Sequence, residues 1–179
     1  MAKLMILRHA PAITGGTLAG RLDVPADCSD GAAFEWIRDR IGQPDRVLAS
    51  PARRCAQTVA ALGLSAQTCP TLWEQDYGDW EGKPYDALPD LGRLMPADLA
   101  RHRPRNGESF EDMTARVLPQ LQAIRSDTLI VAHAGTARAA LSLVTGPAAL
   151  SFTIAPLSLT ILRRAGEDWA VEAVNITAP

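Results

Sequence analysis

Two of the chain's three histidines stand in matching contexts: "MILRHA" carries Arg8 and His9, and "LIVAHA" carries His133. Each is an apolar run, then histidine, then alanine. Such a run reads as a buried strand, so both histidines lie at strand C-termini. In parallel α/β sheets the ligand crevice lies outside the carboxyl ends of the strands, where the two imidazoles meet despite their distance in sequence. A third run, "RVLAS", ends at the same edge and leads into "SPARRCAQT", bringing Arg53 and Arg54 to a helix start. Arg8 is permanently charged and costly to leave unpaired beside a core. Its ordinary partner is an internal carboxylate, and the other choice is a ligand anion. Helix N-termini add inward-pointing N–H groups and partial positive charge, so this edge is suited to a phosphate-like anion. One arginine or one histidine alone is unremarkable, but coincidence is a poor account of all four together. A two-histidine metal site would set arginines beside a cation, and no HExxH or carboxylate cluster accompanies the histidines. No G-x-S-x-G elbow supports a Ser-His-Asp hydrolase.

The elements that must position these residues follow an α/β pattern, without repeats, low-complexity tracts or linkers. Strands are expected at 3–8, 46–49 and 128–132, with a final pair at 157–162 and 169–174. Helices are expected over 31–41, with Ala33, Phe34, Ile37 and Ile41 on one face, and after Pro51, with Cys55, Val59 and Leu62 inward. A third opens at Ser109, whose hydroxyl caps it with Asp112 three residues on, and Pro119 should kink or split it. A fourth spans 136–145 and stops at Gly146-Pro147. Residues 76–107 hold four prolines and four glycines with little periodicity. They read as a long insertion over one end of the sheet, a type of loop that is often functional.

Composition narrows the classes. A chain of 179 residues, 47% apolar and 21% charged, suits one globular domain, residues 1–179. The net charge of −2, with no basic cluster among aromatics, argues against nucleic acid. The apolar runs are too short to span a bilayer and no signal series opens the chain, so no membrane partner and a cytoplasmic location are expected. Cys28, Cys55 and Cys69 lack metal or redox spacing and read as reduced thiols. Trp73 and Trp80 fit loop packing, a stacking wall or a dimer surface, and a homodimer stays open.

In order along the chain, "LRHA", "SPARRCAQT", "LWEQDYGDWEGK", "NGES" and "VAHAG" resemble the motifs of the histidine phosphatase superfamily, with its phosphoglycerate mutase-like fold. That resemblance implies a three-layer α/β/α sandwich with a mostly parallel central sheet. Within the superfamily, the short length, "GRLDVP" and "YGDWEGK" are most similar to small bacterial phosphatases of the alpha-ribazole phosphatase type, of the cobalamin pathway.

By the same resemblance, His9 is the nucleophile that becomes phosphohistidine, a role needing a neutral imidazole held in one tautomer. Arg8 and Arg54 clamp the phosphate, Arg53 pointing elsewhere because neighbouring helix positions differ by about 100°. His133 binds the phosphoryl oxygens, and Glu74 donates a proton to the leaving oxygen. These groups take the place of a metal, and no cofactor is implied. Thr14, Arg21, Glu81, Ser109 and Ala134 are further candidates for substrate contact, with loop anchoring and helix capping as the plainer roles of Glu81 and Ser109. Ala10 stands where the family usually has glycine, and alanine resists positive φ.

The expected function is therefore metal-independent hydrolysis of a small phosphorylated metabolite, with alpha-ribazole 5′-phosphate as the leading substrate and free phosphate or sulfate able to occupy the pocket. Phosphoglycerate mutase and phosphohistidine-protein phosphatase activities are the rivals. The mutases carry larger insertions and a C-terminal tail over the site, whereas this chain stops just past its last strand. A non-catalytic phosphate-binding module is the alternative of another class.

Overall fold

Strand β1 (Ala2–Arg8) is apolar through its middle because both of its faces are covered: Leu4 to Leu7 are at most 2% exposed. In this computed structural model, which describes residues 2–179, Leu4 and Ile6 enter one core while Met5 and Leu7 enter a second on the other side of the sheet. That is the two-residue alternation of a pleated strand buried on both faces. The first core is closed by α4 (Phe110–Gln122) and α5 (Ala134–Thr145), the second by α1 (Gly31–Ile41) and α2 (Arg53–Ala61). The result is the expected three-layer sandwich.

The sheet has six strands in the order β3-β2-β4-β1-β5-β6. β2 (Arg46–Ala49) and β4 (Thr128–Ala132) run parallel to β1, and β3 (Gln67–Thr68) runs parallel to β2. β5 (Leu159–Ala165) and β6 (Asp168–Ile176) form an antiparallel hairpin against β1. Leu157, expected in β5, instead takes a positive φ of 55° in the turn before it, and its N–H bonds Arg8 O at 3.1 Å.

Three further expectations change. α2 starts after Ala52, so Pro51 precedes the helix and does not occupy its first turn. Pro119 does not split α4, which is one element from Phe110 to Gln122. Pro119 and Ala115, whose carbonyl loses its helical partner, are both exposed, so that oxygen faces solvent and not the core. Finally, residues 76–107 contain the short helix α3 (Pro96–Arg101) and two 3₁₀ turns. Six residues are too few to leave a periodic signature, and α3 is held by burying Ala100 in the first core. In the same region Trp80 stacks on His102 at 5.4 Å, while Trp73 packs against the second core. Cys28, Cys55 and Cys69 are free thiols. Among the described residues, no helix is long and apolar enough to cross a membrane.

Candidate active site

The parallel register pairs Arg8 with Ala132, so the next residue of each strand leaves the sheet beside the other. These are His9 and His133, with ring centroids 5.2 Å apart and planes at 69°. The His9 N–H bonds Ala132 O at 2.9 Å, tying the two strand ends together. His133 is also the residue before α5, which starts at Ala134 and not at 136.

Arg54, in the first turn of α2, joins both imidazoles. Its Nε donates to His9 Nε2 at 3.2 Å, and its Nη2 approaches His133 Nδ1 at 3.3 Å. Its Nη2 also donates to Gly20 O at 2.7 Å and its Nη1 to Leu22 O at 2.9 Å, which leaves one Nη1 hydrogen without a protein partner. Arg53 is exposed, so only Arg54 enters the pocket. Because guanidinium donates only, His9 Nε2 and His133 Nδ1 must both be lone pairs. The tautomers follow. His9 carries its proton on Nδ1 and donates to Ala10 O at 2.7 Å, and His133 carries its proton on Nε2 and donates to Ser50 Oγ at 2.8 Å. Ala10 is fixed in turn by its N–H to Thr58 Oγ1 at 2.9 Å and is absent from the positive-φ positions, so alanine suits this place.

Burial, then the charges of Arg54 and Arg8, push His9 down to about 3 against the opposing Ala10 hydrogen bond. Burial first, then Arg54, hold His133 well below the usual histidine value. Both rings are therefore neutral at pH 7. In the unfolded chain they would titrate near 6.5, so the unfolded state binds more protons below that value and stability is lost as pH falls. Denaturant midpoints measured from pH 7 to pH 4 should decline from about pH 6, by on the order of 1 kcal/mol per pH unit for each histidine. A profile flat down to the carboxylate range would contradict this assignment of neutral imidazoles.

Arg8 Nη1 donates to Ile154 O at 2.5 Å, while its buried Nε has no partner. Glu74 faces these cations from the loop after the 3₁₀ turn Pro70–Leu72. Its Oε1 accepts from Gln75 N at 3.0 Å and its Oε2 from Gly135 N, at the start of α5, at 3.4 Å. A Cβ at position 135 would lie 2.1 Å from Glu74 Oε1, so only glycine admits the carboxylate here. Arg8, His9, Arg54 and Glu74 share one cavity of about 270 Å³, and fully buried His133 lies behind it. Thr14 and Ala134, two of the candidates for substrate contact, also line this cavity.

Arg21, Glu81 and Ser109 do not line it. Glu81 is consumed by three backbone amides: Oε1 accepts from Arg21 at 2.7 Å and Tyr77 at 3.0 Å, and Oε2 from Leu22 at 2.9 Å. Arg21 donates through Nε to Glu74 O at 3.0 Å, fixing the backbone of the pocket carboxylate from outside. Ser109 caps α4 in a reciprocal arrangement with Asp112. Their chemistry is loop anchoring and helix capping.

The cavity wall also includes Tyr77 and Tyr85 from the long loop region and Arg138 from α5. Burial foremost, and Glu74 next, push the Tyr77 phenol up, keeping it a neutral hydrogen-bonding group. Arg138 lies one helical turn beyond Ala134, a spacing that puts the two on one face. That i+4 relation is the signal in the sequence from which Arg138 follows once Ala134 is placed.

A family model described as the histidine phosphatase superfamily (branch 1) matches residues 4–177. A glucosyl-3-phosphoglycerate phosphatase of Mycolicibacterium vanbaalenii is 31% identical, across 94% of this chain and 78% of that protein. A putative phosphoserine phosphatase 2 of Hydrogenobacter thermophilus is 29% identical, across 82% of this chain and 80% of that protein. Among solved structures, mycobacterial glucosyl-3-phosphoglycerate phosphatase complexed with VO3 superposes with a TM-score of 0.82 at 25% identity, covering 97% of this chain and 98% of that one. With a family match over nearly its whole length and relatives named as phosphatases, the protein belongs to the histidine phosphatase superfamily, branch 1, and is a phosphoric monoester hydrolase.

Proposed function

We propose that the protein hydrolyses the phosphate ester of a small metabolite without a metal, through a phosphohistidine formed on His9. The observation that carries this reading is the His9 imidazole itself: neutral, its Nδ1–H spent on Ala10 O, and its Nε2 lone pair beside the Arg54 guanidinium. In the first step Nε2 attacks phosphorus and the bond to the ester oxygen breaks, as Glu74 gives a proton to the departing alcohol. In the second, Glu74 takes a proton from water, the water oxygen attacks phosphorus, and the P–N bond breaks to release phosphate and restore neutral His9. Arg8 and Arg54 balance charge on the phosphoryl oxygens, with donors fixed before the reaction begins. A donor at His133 Nε2 already serves Ser50, so its contribution to the phosphoryl group runs through Arg54, whose orientation it shares.

The cavity volume supports a small ester in preference to a phosphorylated protein segment. Alpha-ribazole 5′-phosphate has no counterpart in the relatives named above. Glucosyl-3-phosphoglycerate and phosphoserine, which those relatives are named for, are both phosphate esters of carboxylic acids.

Phosphate release by the wild type and Glu74→Gln, measured with EDTA present, tests this reading. Glu74→Gln should slow an alkyl ester such as phosphoserine about 100-fold and p-nitrophenyl phosphate much less, since nitrophenolate leaves without a proton. Equal losses on both esters would make Glu74 a binding group. Phosphate bound but released from no ester would favour the non-catalytic module.

A further inference from the structure

Arg138 is a cation without a protein anion. It is partly buried and lines the cavity that holds Arg8 and Arg54. Its Nε donates to Phe152 O at 3.1 Å, and no carboxylate of the described residues lies within ion-pair distance of it. The neighbourhood is unfavourable for a third positive charge. Arg8 is pushed below the ordinary arginine value by burial above all, and by Arg138 and Arg54, with Glu74 opposing. A guanidinium in that position, with both Nη groups free of protein partners, is open to an anion brought by the substrate.

Two features define which anion. With Glu74 protonated as the acid of the first step, Arg8 and Arg54 match the two charges of a phosphomonoester, and Arg138 is left over. Arg8 is anchored on Ile154 O and Arg138 on Phe152 O, two residues apart in one segment. Two residues span at most about 7 Å, so the two guanidiniums are hung at the scale of one small molecule. The free Nη pair of Arg138 presents the planar fork that a carboxylate accepts with both oxygens.

We propose that Arg138 binds a carboxylate of the substrate carried two or three carbons from the ester oxygen, and thereby selects phosphorylated carboxylic acids over uncharged alcohol phosphates. This rests on the hydrolytic reading above and assigns its substrate class. The test compares 3-phosphoglycerate with glycerol 3-phosphate, which differ at one carbon by carboxylate against hydroxymethyl. The wild type should prefer 3-phosphoglycerate by at least tenfold in kcat/KM, and Arg138→Gln should reduce that ratio by about 10- to 100-fold. Arg138→Lys, which keeps the charge but not the fork, should retain part of the preference. A ratio unchanged in the glutamine variant, or near one in the wild type, overturns the proposal while hydrolysis stands. The wild-type ratio decides alone if the glutamine variant does not fold. Release of phosphate from neither ester, nor from p-nitrophenyl phosphate, would remove the hydrolytic reading and this one with it.

Discussion

His9→Ala should lower kcat/KM by about 10⁴-fold or more, because a covalent step without its nucleophile has no substitute in this pocket. The fold should survive. His9 is 4% exposed, and its removal leaves Ala10 O and Arg54 Nε without partners, a cost of about 1–3 kcal/mol. That is within the margin of a normal domain. The check has two parts: steady-state phosphate release, and label retained on protein quenched in alkali, where phosphohistidine persists. Wild type should carry the label and His9→Ala should not. Substantial turnover by the variant would assign the nucleophile elsewhere.

Arg54→Lys should have the second largest effect although charge is conserved. The Arg54 guanidinium, 2% exposed, reaches two imidazoles and two carbonyls at once through its rigid fork. An ammonium has three donors around one atom and cannot reproduce that arrangement. Activity should fall about 10³-fold as the imidazoles lose the donor that fixes them and the phosphoryl group loses a preset donor. Stability should fall by about 2–4 kcal/mol, since Gly20 O and Leu22 O then lack their partner in a buried setting. Paired denaturation and kinetic measurements read both effects. Loss of less than tenfold in activity would mean that Arg54 serves the fold and not the chemistry.

Much of this centre is legible in the chain before it folds. Leu4 to Leu7 and Leu129 to Ala132 are buried on both faces, and double burial writes an unbroken apolar run into the local sequence. The histidine after each run is then at a strand end, and parallel pairing makes those ends neighbours. β3, two residues long, and α3, six residues long, leave no such trace. The roles of loop residues are equally silent. Glu81 looks available for a ligand until it is seen to bond amides of Arg21 and Leu22 about sixty positions away.

The sequence by itself determined the α/β class, the meeting of His9 and His133 at one sheet edge, and the cationic character of that edge. Those follow from periodic burial and residue type, which act over a few neighbouring positions. Only the tertiary structure decided the tautomers of the two histidines, the shared contacts of Arg54, the withdrawal of Arg21, Glu81 and Ser109 from the pocket and the entry of Arg138. Those depend on hydrogen bonds and side-chain directions set between distant segments, to within about an ångström, and no local pattern encodes distances of that kind.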